Sequence, residues 1–148
     1  MTETLVIDAS IAVKWVVEEE GTSLAVMLRQ NHHFAAPDLL VAECANILWK
    51  KAQRNELTPA EASMAAKLLE RSNIELFAMR GLLAKATEMA ISLGHPAYDC
   101  MYICLAASRN WRFVTADERL LRVLHQKAPA SIANLCVTME HIASGSAR

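Results

Sequence analysis

Turn-forming residues are scarce in this chain, with 4 glycines and 4 prolines in 148 residues. The two types together average roughly 12% of a globular protein. A β-sandwich or barrel uses them at every hairpin, so the composition points towards helices. No charge sign dominates either. The net charge is −1, so a nucleic-acid partner would have to be met by a local patch rather than by the whole surface. Residues 1–37 carry 5 acids and 2 bases, and residues 38–148 carry 11 acids and 13 bases, a mild asymmetry that decides nothing alone. No apolar run approaches the roughly 18 residues of a membrane span, so no membrane association is expected. The acidic stretch Met1–Glu3 has no basic segment leading into an apolar one, so no secretory signal is expected.

No C-x-x-C pair occurs among Cys44, Cys100, Cys104 and Cys136. These read as buried free thiols in a reducing cytoplasm. Cys100 and Cys104 share a helical spacing, but no second pair completes a tetrahedral metal site. His32, His33, His95, His125 and His141 have no ligand spacing and read as surface or loop residues. What the chain has in quantity is apolar surface: 53% of its residues are hydrophobic and 21% charged, which excludes a disordered chain.

Short β-branched runs alternate with helical periodicity. Leu5–Ile7 reads as a strand, followed by a helix through Ile11–Val17 capped by Ser10, and a second helix capped by Thr22. Phe34–Ala36 is a weak strand closed by Pro37. Helices are then expected from Asp38 to about 55, from the Thr58-Pro59-x-Glu61 capping signature to about 71, from 82 to 92, and from 97 to 108. Further strands are expected at Ile74–Leu76, Arg112–Thr115 and Leu135–Val137, with a helix from Asp117 to about 126. This alternation implies an α/β fold, a three-layer sandwich with a mainly parallel central sheet, formed by one domain over residues 1–142. Residues 143–148 read as a disordered tail.

Ligands of such sheets bind beyond the carboxyl ends of the strands. Asp8 and Asp117 fall there, and Glu43 and Asp99 stand alone inside apolar helical runs. Isolated carboxylates among apolar neighbours are costly, and several converging on one point repel one another unless a cation neutralises them. Hard oxygen donors suit Mg²⁺ or Mn²⁺. Each acid also has a plain structural reading as strand end, helix cap, first-turn acid or solvent-facing side chain, and spacing alone does not establish convergence. Ser10, Asn46 and Thr115 lie close enough in sequence to support the acids. Asn46 shares a helix face with Glu43. Lys50, Lys51 and Arg54 close one helix, and Arg109, Arg112, Arg119 and Arg122 gather near Asp117; phosphate contact would use such groups, of which Lys50, Lys51, Arg54 and Arg119 are the candidates for substrate. Trp15 and Trp49 sit in apolar helical stretches and are expected in the core rather than stacked on bases. Met64, Leu68 and Leu69, with Leu40, Ile47 and Leu48 nearby, offer more apolar surface than one sheet face needs.

Four segments together resemble a known family. Leu5-Val6-Ile7-Asp8-Ala9-Ser10, Pro37–Lys50 with Glu43 and Asn46, Tyr98-Asp99-Cys100-Met101-Tyr102, and Val114-Thr115-Ala116-Asp117 are similar, in order and spacing, to the motifs of bacterial PIN domains. The single-domain VapC toxins of type II toxin–antitoxin systems are the subgroup they most resemble. The resemblance implies a Mg²⁺- or Mn²⁺-dependent endoribonuclease with Asp8, Glu43, Asp99 and Asp117 as its catalytic and metal-holding quartet. It further implies a cytoplasmic homodimer, an RNA substrate cut to leave a 5′-phosphate and a 3′-hydroxyl, and a VapB-type antitoxin. With no histidine at a motif position, general-base work would fall to a carboxylate or to the metal hydroxide. Two alternatives stand beside it. One is a phosphotransfer domain of receiver or haloacid-dehalogenase type, which needs a second acid beside Asp8. The other is a non-enzymatic RNA- or protein-binding module of the same fold.

Overall fold

The computed structural model describes residues 2–145. Its centre is a five-stranded sheet in the order β3-β2-β1-β4-β5, parallel throughout. The strands are β1 (Glu3–Ile7), β2 (His32–Pro37), β3 (Ile74–Phe77), β4 (Arg112–Val114) and β5 (Cys136–Val137). The helices that connect and cover them are α1 (Ala9–Ala12, continued by a 3-10 turn to Trp15), α2 (Thr22–Leu28), α3 (Leu39–Gln53), α4 (Pro59–Glu70), α5 (Leu83–Leu93), α6 (Ala97–Arg109), α7 (Glu118–Lys127), α8 (Ala130–Ala133) and α9 (Met139–Ala143). Parallel neighbours need crossover connections, and helices supply them, so the expected α/β fold is present.

β1 lies in the middle because its last three residues are apolar and wholly buried. Leu5–Ile7 register against Arg112–Val114 on one side, and Glu3–Val6 against His32–Ala35 on the other. The α6 sequence is apolar almost all round, and Cys100, Tyr102, Ile103, Cys104, Leu105 and Ala106 are buried. At the entry of β4, buried Arg112 makes two charge-assisted hydrogen bonds to Glu3, at 2.8 and 2.7 Å. The capping signature of α4 forms as expected: Thr58 Oγ1 accepts from the Glu61 amide at 3.1 Å, and Glu61 Oε1 accepts from the Thr58 amide at 2.8 Å. Gly94 ends α5 in a left-handed conformation, φ 62°, which a residue without Cβ adopts freely.

Several expectations need correction. The cap of the first helix is Asp8, whose carboxylate accepts the Ser10 amide, and Ser10 lies inside α1. The cap of α2 is Gly21 at φ 88°, while the Thr22 hydroxyl bridges Glu19 and Val17. The short helices α8 and α9 were hidden from periodicity, since each is about one turn long. Trp15 is in the core and donates to the Ala25 carbonyl, as expected, but Trp49 is 57% exposed on the outer face of α3. Leu40 and Leu48 are buried in this chain's own core, leaving Met64 and Leu68 exposed on α4. All four cysteines are free and buried. Of the expected tail, Ala143 closes α9, Ser144 and Gly145 form a turn hydrogen-bonded back onto that helix, and residues 146–148 lie outside the described residues.

Candidate active site

The carboxyl end of β1 hands the chain to α1 through Asp8, which is buried and held from two sides. Its Oδ1 accepts from the Ser10 amide at 3.1 Å and the Ser10 hydroxyl at 2.5 Å. Its Oδ2 accepts from the Thr115 hydroxyl, just beyond β4, at 2.5 Å. The same hydroxyls are themselves anchored: Ser10 Oγ accepts from the Ala116 amide and Thr115 Oγ1 from the Asp117 amide. Adjacent parallel strands thus deliver both the acid and its donor to one sheet edge, which is why Asp8 and Thr115, distant in sequence, meet.

Asp8, Ser10, Glu43, Asn46, Ile47 and Asp99 line one small open pocket above this edge. Glu43 comes from α3 and Asp99 from the first turn of α6. Each leans on a donor. The Tyr102 hydroxyl donates to Glu43 Oε1 at 2.5 Å, and the His95 ring nitrogen lies 2.6 Å from Asp99 Oδ2. The three carboxylates feel one another's charge. Burial pushes the Asp8 carboxyl up from 3.8 to about 6 against the pull of the Ser10 and Thr115 hydrogen bonds, and the charges of Asp99 and Glu43 add to the rise. Glu43 is raised too, first by burial and then by Asp99, with the Tyr102 bond opposing. The same surroundings push the Cys44 thiol up to about 12, so it stays protonated.

Among the described residues, no lysine or arginine pairs with Asp8, Glu43 or Asp99; only His95 approaches, at Asp99. The cluster is therefore rich in negative charge and hard oxygen, the donor chemistry that Mg²⁺ or Mn²⁺ takes. Its carboxylates are turned onto protein donors, and among the described residues no three His, Cys, Asp or Glu side chains form a ready metal-ligand group. The fit lies in donor type and charge rather than in a preformed cage.

Asp117 stands apart from the other three acids. It is exposed and caps α7, its Oδ1 accepting from the Leu120 amide at 3.0 Å, and it does not line the pocket. The basic candidates also divide. Lys50, Arg54 and Arg119 are exposed. Lys51 is tied to Glu19 at 2.8 Å and Glu56 at 3.6 Å. Arg109 lies over the rings of Phe77 and Trp111, and Arg112 is paired with Glu3, so neither gathers at Asp117. Two contacts escaped the sequence reading. His95 is a loop residue, as expected, yet its ring meets Asp99 across an i, i+4 spacing that spans Pro96; Tyr102 is i+3 from Asp99, on the same face of α6. Those two spacings were the available signals.

The chain matches the PIN domain over residues 5–125. It belongs to the PIN domain family. This PIN domain is 34% identical over 131 residues to Ribonuclease VapC3 of Pyrobaculum aerophilum, a match covering 86% of this chain and 97% of the relative. It is 29% identical over 128 residues to Ribonuclease VapC9 of Mycobacterium tuberculosis, covering 86% and 97%. Among solved structures, PAE2754 from Pyrobaculum aerophilum superposes with a TM-score of 0.71 at 21% identity, over 98% of this chain and 97% of that one. Mycobacterium tuberculosis VapC20, a Sarcin-Ricin loop cleaving toxin, superposes with a TM-score of 0.60 at 11% identity, over 78% and 93%. These two structures support the fold. Family membership also sets aside the receiver and dehalogenase readings, which need a second acid beside Asp8 where this PIN domain has Ala9 and Ser10.

Proposed function

We propose that this chain is a Mg²⁺- or Mn²⁺-dependent endoribonuclease and the toxin of a cytoplasmic type II toxin–antitoxin pair. The observation that carries the reading is the cluster of Asp8, Glu43 and Asp99 at the carboxyl edge of the sheet, with no lysine or arginine paired to it among the described residues. The VapC ribonucleases among its relatives support the choice of RNA as substrate.

Asp8, Glu43 and Asp99 are the residues that would hold the cation. When bound, a divalent ion neutralises phosphate charge and renders water acidic enough to attack a phosphodiester near neutral pH. Ser10 and Thr115 keep Asp8 aimed; because both are anchored by backbone amides, they do so without rotamer freedom. Asp117 is exposed and lies outside the pocket that the other three acids line, which makes it the weakest contributor. Asn46, one turn beyond Glu43 on α3, lies at the pocket rim where a ribose or base passes, and exposed Lys50, Arg54 and Arg119 meet flanking phosphates. Lys51 contributes less, because Glu19 and Glu56 already hold it. Proton removal falls to a pocket carboxylate, and hydrolysis leaves a 5′-phosphate and a 3′-hydroxyl. Exposed Met64 and Leu68 on α4, with Val41 and Trp49 on α3, support pairing of two copies and capture of a VapB-type antitoxin.

Incubation of the purified chain with single-stranded RNA and Mn²⁺ tests the reading. Cleavage should stop with EDTA and in Asp99→Asn. Metal-independent cleavage, or cleavage by Asp99→Asn at the wild-type rate, would refute it.

A further inference from the structure

Glu43 sits half-buried on α3, and a glutamate there has several torsions free to move. One of its oxygens is nevertheless fixed. The Tyr102 hydroxyl donates to Oε1 at 2.5 Å, and Oε2 has no hydrogen-bond partner among the described residues. Tyr102 is an unusually stiff donor. It is wholly buried, and its ring stacks on Phe113 of β4 with centroids 5.8 Å apart and planes at 22°. Phe113 in turn registers against Val6 of β1, two residues before Asp8. The phenol is therefore anchored to the central strand pair that carries the first acid. Tyr102 also lies three residues beyond Asp99 on α6, so one helix supplies one acid and fixes the position of another.

We propose that Tyr102 is a positioning residue for the cation site: it holds Glu43 by one oxygen so that the other is presented beside Asp8 and Asp99. This rests on the metal-dependent reading above. A tyrosine that merely filled the core would also need an acceptor for its hydroxyl. That role would be indifferent to metal, whereas a positioning role makes the hydroxyl part of the affinity.

The test is Mn²⁺ binding to the full purified chain, without RNA, by titration calorimetry. Tyr102→Phe keeps the ring and its stacking and removes only the donor. Loss of a group that orients a metal ligand weakens affinity by about 10- to 100-fold, and about tenfold is expected here because Glu43 is one of three acids. In a Glu43→Gln background the same substitution should change affinity by less than about twofold, since the two act through one contact. Glu43→Asp keeps the charge but withdraws the carboxylate from the phenol, and should weaken Mn²⁺ binding even if Tyr102→Phe fails to fold. Wild-type affinity in Tyr102→Phe or in Glu43→Asp would overturn the proposal, as would an undiminished Tyr102→Phe effect beside Glu43→Gln. If the wild type binds no Mn²⁺, or Asp99→Asn binds as well as the wild type, the metal-dependent reading itself fails and takes this one with it.

Discussion

Asp8→Asn should stabilise the metal-free protein while abolishing its proposed activity. In the fold, burial lifts the Asp8 carboxyl from 3.8 to about 6, so the folded state resists its ionisation. A shift of about two units corresponds to about 3 kcal/mol at about 1.4 kcal/mol per unit. The sign follows from linkage. A raised carboxyl favours the fold fully below the unfolded value of 3.8, and that contribution is lost as pH climbs through about 6. Above that, wild type carries a buried charge that asparagine does not. Asparagine still accepts from Ser10, but its amide must face the Thr115 hydroxyl, which loses its acceptor and offsets part of the gain. A net gain of about 1–2 kcal/mol at pH 7.5 remains, or roughly 3–8 °C in Tm for a domain of this size. Thermal melts of both proteins in EDTA, from pH 4.5 to 8, measure it. The variant's advantage should be small at the acid end and grow through about pH 6. A difference that stays flat across the range, or a wild type that gains on the variant as pH rises, would refute the reasoning. Saturating Mn²⁺ should reverse the order, because a cation that binds only the folded wild type returns the lost stability.

Further outcomes follow from other contacts. Asp8→Asn combined with Asp99→Asn should remove the rise in melting temperature that Mn²⁺ gives the wild type; an unchanged rise would place the ion elsewhere. Expression without a partner should arrest growth, and Glu43→Gln at equal protein level should relieve it, so equal toxicity would point to a non-catalytic effect. Thr58→Ala removes half of the α4 capping box and should lower stability by about 1 kcal/mol in urea denaturation, with no change in Mn²⁺ affinity. Glu3→Gln removes the charge from the two hydrogen bonds that buried Arg112 makes to Glu3 and should lower stability by about 1–2 kcal/mol. Light scattering at micromolar concentration should report a dimer; a strictly monomeric mass would refute the association while leaving the site, which one chain contains, untouched.

The layering was readable from the alternation of short β-branched runs and helical periods, because parallel strands buried on both faces leave that mark. The acids Asp8, Glu43 and Asp99 were readable because charge among apolar neighbours is rare enough to stand out. What stayed hidden was orientation. Asp117 has the same strand-end position as Asp8 and likewise caps a helix, but it is exposed and outside the pocket, a difference in orientation that no spacing rule records. Arg112 looked like a phosphate contact until its partner proved to be Glu3, 109 residues away. Trp49 looked like core because its neighbours are apolar, but α3 is buried along one stripe only. Tyr102 and His95 touch Glu43 and Asp99, and those contacts depend on where helices cross or turn, which a linear pattern records only faintly.

The hydrogen bond between Thr115 and Asp8 joins residues 107 positions apart. During synthesis Asp8 emerges first, Glu43 and Asp99 follow, and the threonine that holds Asp8 comes near the end. β1 cannot be completed on its β4 side before that moment, since residues 112–114 are its neighbours there. An unfinished or truncated chain thus contains the acids without the arrangement. For the proposed activity, the consequence is that a premature stop before residue 115 should leave the acids without the Thr115 bond and the β4 strand that fix Asp8.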